Sequence, residues 1–493
     1  MTRDGLEASA IGGNPQAQLE LGVRCLAAAR DGGEAHATGM RWITEAAQQG
    51  LAEAQWMLGN IYAHTLSTPD AARMAYEWYA KAAAQHSAPA QDRLADLHML
   101  GRGAPADDRE AFRWYAKSAT QVLPVAQANL AYMHAHGIGT VADQDTATTW
   151  FLRAAAMGNA RAYFNLGLRY AAGTGAPLSA VHAYAWLRNA ADRDYPFSLA
   201  MAEKVGGQLS GGELASAEAL AERIRSNLAE MRQRLGEAAS SLDPGNSGQL
   251  LAFGSEVEAQ FERLNDPALS LDSQRRGTTS GDAERNSPPV EPKAAMRSWH
   301  PRVLIIDDFL SLDECAHVMD LATSQLVPSS DYQPAQGSEE INAFNGDAMV
   351  FTAPLCDATL RNIERRIALH SRMPPDHIEP LSVLRYRPGH AYDAHVDFFR
   401  EDRLRENELK GDHGGQRLLT FLIYLRAPEE GGETEYIKAG CTVTGRTGMA
   451  GLHYNCLPSN LQDEMTEHRG RPIVRGEKWL LRTAIREHGL YGR

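Results

Sequence analysis

The sequence predicts a multidomain chain, an all-α solenoid of helix-turn-helix repeats followed by an α+β domain. Two observations carry this prediction. In the first half, tryptophan recurs every 36 residues, at Trp42, Trp78, Trp114, Trp150 and Trp186. A fixed period of this length is typical of helical repeat arrays. In the second half, apolar and polar residues alternate along short segments between glycine-rich turns, which is typical of β-strands.

Each repeat unit contains two helical segments joined by a glycine turn. Segments such as AQWMLG at 54–59 and EWYAKAAAQH at 77–86 recur with small changes, and turns such as Gly101–Gly103 separate them. Periodic aromatic residues are usually buried, so we expect the five tryptophans to lie in the core. The pattern closely resembles Sel1-like repeats, relatives of the tetratricopeptide repeat, over about residues 14 to 200. The resemblance implies a curved scaffold that binds polypeptide.

The bulk composition argues against several function classes. A formal net charge of -13 and a pI near 5.7 disfavour nonspecific binding to nucleic acid or to an anionic membrane. The longest apolar runs, such as LLTFLIYL, are too short to span a membrane, and the first residues lack the apolar core of a signal peptide. The five cysteines are scattered without a CxxC pair, so we expect reduced thiols in a cytoplasmic protein.

Four segments follow from these patterns. We expect an N-terminal tail at 1–13, the repeat solenoid with its closing helix at 14–236, a linker at 237–298 and the second domain at 299–493. The linker is rich in Ser, Gly, Pro and charged residues, so we expect it to be partly disordered. Within the linker, QLLAFGSEVEAQFERL is a candidate helix.

The second domain begins with a strand and two helices and continues with strands. VLIIDDF at 303–309 predicts a strand, and Ser311 with Glu314 forms a capping box that opens a helix. A second helix is expected within APLCDATLRNIERRIALH at 353–370. Helices first and a run of strands after them predict an α+β domain whose strands form a small barrel or sandwich.

The segment RYRPGHAYDAHVDFFR at 385–400 contains a candidate metal site. In a strand, residues i and i+2 point to the same face, so His395 and Asp397 would project side by side. A mononuclear Fe(II) oxygenase site uses two histidines and one carboxylate and leaves the other positions open. His377 and Glu379 have the same spacing, but they lie between prolines and are the poorer candidates for a rigid pair.

A third ligand and a cation follow near the C-terminus. The segment EHRGRPIVRGEKWLL contains His468 and, ten residues later, Lys478 after a Gly-Glu turn. A lysine at this place can face the same interior as the histidine and supply a point charge for a carboxylate. 2-Oxoglutarate, which chelates iron through its keto acid end, needs such a cation for its far carboxylate.

Three blocks, VLRYRPGHAYDAHVDFF, RLLTFLIYLRAPEEGGETEY and HRGRPIVRGEKW, resemble the catalytic domain of prolyl 4-hydroxylases. The resemblance covers about residues 300 to 490 and implies a double-stranded β-helix, or jelly roll, that uses Fe(II), 2-oxoglutarate and O2, with ascorbate as accessory reductant. By position it implies iron ligands at His395, Asp397 and His468, a 2-oxoglutarate carboxylate site formed by Lys478, Thr420 and Tyr386, and a pocket tyrosine at Tyr392.

The chain departs from the family after GEKW. The family usually has Asn or Thr and then a second Trp that lines the substrate pocket, whereas this chain has Arg482 and Ala484 at those places. The departure concerns the target and leaves the metal and cosubstrate residues intact. We expect four further histidines of the domain to have no role, with His453, in AGLHYNCLP, the closest to the later strands.

The favoured function is hydroxylation of a prolyl residue in a protein that the repeats capture. One alternative keeps the oxygenase chemistry and changes the target to another side chain, a free amino acid or a small molecule. A second alternative is a non-catalytic adaptor in which the repeats are the functional part. Intact His395, Asp397, His468 and Lys478 argue against the adaptor, because a decayed site loses its ligands first.

Overall fold

The computed structural model describes most of the chain. The described residues are 3–28, 33–64, 69–240, 294–328, 345–351, 356–409, 414–457 and 461–490. They fall into two compact units, Met1–Ala106 with Val290–Arg493, and Asp107–Pro289. The candidate helix QLLAFGSEVEAQFERL and most of the predicted linker lie outside the described residues. Among the helices of the described ranges, none has the length and apolar character needed to cross a membrane.

The first unit begins with six helices of the repeat region. They are α1 Arg3–Ile11, α2 Pro15–Ala28, α3 Glu34–Gln48, α4 Ala52–His64, α5 Pro69–Ala84 and α6 Ala88–Leu100. Helix α1 lies where the sequence predicted only a tail. It forms because Leu6 and Ala10 are buried in a cluster with Ala17 of α2, which gives a short helix a packed face.

The second unit continues the repeat array. Its helices are α7 Asp108–Thr120, α8 Pro124–His136, α9 Gln144–Ala156, α10 Ala160–Ala172, α11 Ala180–Ala191, α12 Ser198–Gly206 and α13 Gly211–Ser240. The Gly-x-Gly turns have a definite physical role here. Gly137 ends α8 with φ +67, a left-handed conformation that glycine adopts without strain. A Cβ on Gly139 would lie 2.1 Å from the carbonyl oxygen of Asp108, so only glycine fits.

The repeat tryptophans are less uniformly buried than the period predicts. Trp78 and Trp186 are buried, whereas Trp42, Trp114 and Trp150 are only partly buried. A cation covers the open face of each partly buried ring. For example, Lys117 Nζ lies 3.8 Å from the Trp114 ring centroid. These rings therefore pack on the core with one face and hold a basic side chain with the other.

The first unit also contains the second domain, which begins earlier than predicted because its first strand opens at Ala294. Its strands are β1 Ala294–Trp299, β2 Arg302–Ile306, β3 Val327–Pro328, β4 Asp347–Val350, β5 Ser382–Tyr386, β6 Tyr392–His395, β7 Arg417–Arg426, β8 Glu430–Gly431, β9 Thr434–Tyr436, β10 Cys441–Val443, β11 Ala450–Tyr454, β12 His468–Gly470, β13 Ile473–Arg475 and β14 Lys478–Arg486. Its helices are α14 Leu312–Thr323, α15 Ala358–Ser371 and α16 Glu401–Leu409. The predicted capping box of α14, Ser311 with Glu314, is confirmed.

The strands form the two layers expected of a jelly roll. One sheet has eight strands in the order β1-β2-β11-β7-β14-β5-β4-β3, and a smaller sheet has the order β10-β9-β12-β6. Side chains of both sheets share one core, since Tyr424 and Leu480 of the large sheet pack in a cluster with Tyr436 and Val443 of the small one. This packing confirms the predicted sandwich and leaves its interior lined by β5, β6, β7, β9, β12 and β14.

Candidate metal and cosubstrate site

The three predicted metal ligands lie together inside the sandwich. His395 ends β6, Asp397 follows two residues later, and His468 opens β12 directly opposite His395. One ligand atom from each residue lies within 4.8 Å of the others. Asp397 and His468 are buried, and the His395 side chain is only 10% exposed. The antiparallel pairing of β6 with β12 is therefore what brings the distant histidine to the His-x-Asp pair.

Both histidines are oriented for metal binding. The Nδ1 atom of His395 lies 2.8 Å from the carbonyl oxygen of Asp393, and that of His468 lies 2.9 Å from the carbonyl oxygen of Thr466. A carbonyl oxygen only accepts a hydrogen bond, so Nδ1 carries the proton and Nε2 presents its lone pair. Burial, with His395 beside it, holds the pKa of His468 well below its usual value and keeps the ring neutral.

The Asp397 carboxylate is held from two sides. Its Oδ1 accepts a hydrogen bond from Arg482 Nη2 at 2.7 Å, and its Oδ2 lies 3.1 Å from His453 Nε2. Burial alone would raise the pKa of Asp397, but the Arg482 charge and the His453 hydrogen bond outweigh it and hold this pKa well below its usual value. Asp397 is therefore ionised, as a metal ligand must be, and two imidazoles with one carboxylate suit Fe(II).

The competing pair His377 and Glu379 has a structural role. Glu379 accepts from Arg417 Nε at 2.8 Å and lies 3.2 Å from Arg486 Nη1, and all three side chains are largely buried. His377 Nδ1 lies 2.9 Å from the backbone oxygen of Arg486. Both residues are thus held by contacts to β7 and β14, and His395 with Asp397 stays the predicted ligand pair.

Lys478 is a buried cation that forms no ion pair with the described carboxylates. Its side chain is 2% exposed, and Nζ donates to the carbonyl oxygen of Gly432 at 2.7 Å. Within the part of the chain that the structure describes, no carboxylate forms an ion pair with it. Burial lowers the pKa of Lys478 to about 8. The negative charge of Glu433 opposes this lowering only in part. Because a buried charge without an ion-pair partner is costly, this ammonium group fits a carboxylate ligand.

One cavity joins Lys478 to the metal ligands. It is lined by His395 and His468 at one part and by Lys478, Tyr386 and Thr434 at another. Lys478 Nζ lies 5.3 Å from the ring centroid of Tyr386, which is its partner across β5 and β14. The cavity has a volume of about 20 Å³, room for about one water molecule. A dicarboxylate with one end at the metal ligands and the other at Lys478 therefore requires the lining side chains to move apart.

The remaining predicted pocket residue also lies at this cavity. Tyr392 lines the cavity and stacks on the His395 ring, with the two centroids 3.9 Å apart. A partly buried aromatic ring in this position shields one face of the ligand histidine from water. Tyr392 thus contacts the site itself, as its place in the HAYDAHVD segment predicts.

The structure does not bring Thr420 to this cavity. Thr420 lies opposite Ala484 in the β7 and β14 pair, and its hydroxyl accepts from Asn455 Nδ2 at 3.0 Å. Ala484 is six residues from Lys478 on the same strand, a distance of about 20 Å. Thr434 takes the expected place, with Oγ1 2.9 Å from the hydroxyl of Tyr424 beside Lys478.

Sequence reasoning missed Thr434, Tyr424 and His453. The signal for Thr434 was present in GGETEY, since this threonine follows Gly432, whose carbonyl oxygen accepts from Lys478. Tyr424 lies four residues beyond Thr420 in the same quoted block. His453 was assigned no role, yet it is fully buried and contacts Asp397. Only its apolar neighbours marked it as an inward-facing residue.

Two sequence families match this chain in separate places. The 2OG-Fe(II) oxygenase superfamily matches residues 381–486, which contain every predicted site residue. The Sel1 repeat matches four stretches, residues 52–87, 88–122, 124–159 and 160–195. The first match lies within the sandwich domain and the second within the helical array.

Curated relatives match about 37% to 48% of this chain. Probable prolyl 4-hydroxylase 3 of Arabidopsis thaliana is 33% identical over 201 residues, which cover 37% of this chain and 68% of the relative. Probable prolyl 4-hydroxylase 10 of the same plant is 30% identical over 258 residues, which cover 48% of this chain and 87% of the relative.

Solved structures are similar to each half. The viral collagen prolyl hydroxylase from Paramecium Bursaria Chlorella virus-1 is 24% identical, with 37% of this chain and 95% of that chain covered and a TM-score of 0.30. A Sel1 repeat protein from Oxalobacter formigenes is 28% identical, with 39% and 76% covered and a TM-score of 0.33.

Proposed function

The chain belongs to the prolyl 4-hydroxylase family of 2-oxoglutarate- and Fe(II)-dependent oxygenases, and we propose that it hydroxylates a prolyl residue of a polypeptide. We propose further that the Sel1 repeats help to capture that polypeptide. One observation supports the proposal. His395 and His468, which form a buried group with Asp397, line one cavity with Lys478, a buried cation that forms no ion pair with the described carboxylates.

When bound, Fe(II), 2-oxoglutarate and O2 supply the oxidation, in which one oxygen atom enters a substrate C–H bond and the other enters succinate as CO2 leaves. The protein residues provide position and environment. His395 and His468 present Nε2 atoms, and Asp397 supplies a negative charge. Lys478 would hold the far carboxylate of 2-oxoglutarate, with the hydroxyls of Thr434 and Tyr386 near it.

The apolar lining of the cavity excludes water. Leu384, Leu422 and Leu480 line the cavity together with Lys478 and the two histidines. A low-dielectric wall strengthens the pairing of Lys478 with a carboxylate and limits competing hydrolysis.

Ascorbate as accessory reductant and a cytoplasmic location are part of the same proposal. The net charge of -13 favours a protein partner over nucleic acid.

The repeats support a polypeptide substrate by a simple argument. A weak contact at a second site, linked to the catalytic domain in one chain, raises the local concentration of the target. The chemistry at the metal is unaffected by such a contact. A free amino acid would gain nothing from it, because it is too small to reach both sites.

A second candidate function is hydroxylation of another side chain or of a small molecule. Arg482 favours this candidate, because its guanidinium lines the cavity at a place where the family usually has Asn or Thr. Ala484 lies where the family usually has the second Trp that lines the substrate pocket. Mass analysis of products from a proline-containing peptide, another peptide and free proline would separate the two candidates.

The first test is conversion of 2-oxoglutarate to succinate with Fe(II) and ascorbate by the full chain. We expect turnover by the wild type and none by His395→Ala. The variant Arg475→Gln is the control, since Arg475 is an exposed residue of β13 that pairs with the exposed Glu429. Absence of turnover in the wild type, together with absence of Mn(II) binding, would contradict the proposed function.

A further inference from the structure

Two buried side chains lie behind the metal ligands. His453 of β11 is fully buried, and Tyr436 of β9 is 2% exposed. The His453 Nδ1 atom lies 3.0 Å from the Tyr436 hydroxyl, and its Nε2 atom lies 3.1 Å from Asp397 Oδ2. The three groups therefore form one hydrogen-bonded chain that ends on a predicted metal ligand.

The direction of this chain follows from the chemistry of its end. An ionised carboxylate has no proton to donate, so the His453 Nε2 atom carries the proton and donates to Asp397. The Nδ1 atom of a neutral imidazole is then an acceptor, and the Tyr436 hydroxyl donates to it. Tyr436 thus fixes the tautomer of His453 that can donate to Asp397.

The two oxygen atoms of Asp397 have different surroundings. Oδ2 faces His453, whereas Oδ1 faces the ligand His395, whose Nε2 lies 3.7 Å away. Arg482 Nη2 donates to Oδ1 at 2.7 Å. A hydrogen bond from His453 to Oδ2 therefore limits rotation of the carboxylate and keeps Oδ1 on the side of the histidine ligands.

The same two rings also pack on the second histidine ligand. The His453 and His468 ring centroids are 4.9 Å apart, and the Tyr436 and His468 centroids are 5.6 Å apart. Packing alone would be served by any aromatic residue. Replacing His453 or Tyr436 by Phe keeps an aromatic ring but removes the hydrogen bonds. Packing on His468 and hydrogen bonding toward Asp397 can therefore be separated by experiment.

We propose that Tyr436 and His453 are positioning residues that set the rotation of the Asp397 carboxylate and direct Oδ1 to the metal. The inference rests on the proposed function only in that a divalent metal binds His395, Asp397 and His468. Mutation of a residue that hydrogen-bonds to a metal ligand typically weakens metal binding by roughly 10- to 100-fold. His453 and Tyr436 would act in that way here.

The test uses the full chain and Co(II), whose visible absorption reports coordination geometry. Co(II) is titrated anaerobically into the wild type, His453→Phe, His453→Gln and Tyr436→Phe. We expect His453→Phe to bind roughly 10- to 100-fold more weakly, with a changed spectrum. Tyr436→Phe should weaken binding less. His453→Gln should restore most of the affinity, because its amide has both a donor and an acceptor.

The matched control is His488→Phe, which replaces an exposed histidine of the same domain and should bind Co(II) as the wild type does. Wild-type affinity and spectrum in His453→Phe would overturn the inference. If His453→Phe fails to fold, the Co(II) affinities of Tyr436→Phe and His453→Gln provide the test. The inference would be overturned if Tyr436→Phe bound Co(II) as the wild type does while His453→Gln bound it weakly. Absence of Co(II) binding by the wild type would instead contradict the proposed function.

Discussion

Lys478 determines much of the behaviour of the site at the scale of single residues. Its ammonium group is buried, and burial lowers its pKa from 10.5 to about 8. The protonated form of Lys478 is needed to attract a carboxylate. In the protein without ligand, burial favours the neutral amine. The affinity for 2-oxoglutarate is thereby coupled to pH in a range that experiments reach easily.

We expect the affinity of the wild type for 2-oxoglutarate to be constant below about pH 8 and to weaken above it. Above this pKa of about 8, the ligand must first return a proton to Lys478, at a cost of about tenfold in affinity per pH unit. Calorimetry from pH 7 to 9, with Mn(II) at saturation and without O2, measures this. Lys478→Arg is the control, since arginine stays charged. Equal affinity of the wild type at pH 7 and 9 would contradict the prediction.

The same residue should lower the stability of the ligand-free chain. Its folded pKa lies below its unfolded value, so the penalty is full below about pH 8 and is relieved as the pH rises toward 10.5. We expect Lys478→Met to stabilise the sandwich domain by up to about 3 kcal/mol at pH 7. Thermal unfolding at pH 7 and pH 10 measures the effect, which should shrink at the higher pH. A destabilised Lys478→Met would show that the ammonium group has an unrecognised partner.

Substitution of two threonines tests which hydroxyl binds the far carboxylate of 2-oxoglutarate. Thr434 lines the cavity with Lys478, whereas Thr420 bonds to Asn455 at the other end of β7. We expect Thr434→Val to weaken 2-oxoglutarate binding roughly tenfold, because a hydrogen bond to a charged group is lost. Thr420→Val should leave that affinity unchanged and lower only the stability. The opposite ranking in a calorimetric titration would restore Thr420 to the site.

At the scale of elements, the register of the central strands positions the site. β14 pairs with β5 on one side and β7 on the other. Lys478, Leu480 and Arg482 are every second residue of β14, so all three side chains point to the inward face. A shift by one residue would turn all three side chains outward. Since β14 and β7 lie in the middle of the eight-stranded sheet, this register is held from both sides.

The glycine turns position the helices of the repeats in a similar way. Gly139 has φ +68 and lies against the carbonyl oxygen of Asp108, whereas Gly158 has φ +91 with open space where a Cβ would be. We expect Gly158→Ala to cost about 1 kcal/mol from backbone strain alone. Gly139→Ala should cost clearly more, because α7 must move. Thermal unfolding of the full chain compares them, and equal losses would show that the close approach is unimportant.

At the scale of the whole molecule, the chain joins a helical array to an oxygenase domain. Val141 and Leu178, in the turns after α8 and α10, are large apolar residues that are 84% and 75% exposed. Val141 also lines a surface cavity together with Ala176 and Pro177, which belong to the turn that contains Leu178. Val141 and Leu178 are therefore the positions at which polypeptide capture by the array is best tested.

We expect the double substitution Val141→Asp and Leu178→Asp to raise KM for the polypeptide substrate several-fold. Turnover of 2-oxoglutarate without that substrate should be unchanged, because the metal and cosubstrate residues are untouched. Steady-state kinetics on the intact substrate and on a short peptide around its target proline measure both. The short peptide should show no difference between variant and wild type. An unchanged KM for the intact substrate would remove these turns from substrate capture.

Local patterns in the sequence determined the architecture and the chemical groups of the site. The 36-residue period depends on contacts between neighbouring helices, which are close in sequence. His395 and Asp397 are only two residues apart, so the chain keeps them close although β6 ends at His395. His468 and Lys478 are ten residues apart, on β12 and β14, with the short strand β13 between them. Each of these features is decided within a few residues or one repeat, so the residues alone are sufficient to predict it.

The tertiary structure alone decided which other side chains meet those groups. Thr434 rather than Thr420 lies beside Lys478, Arg482 reaches Asp397, and His453 contacts it from β11. All of these contacts cross between strands that are far apart in sequence. Their register is set by the sheet as a whole and by the packing of one sheet on the other, and local hydrophobic alternation is the same for every register that differs by two residues.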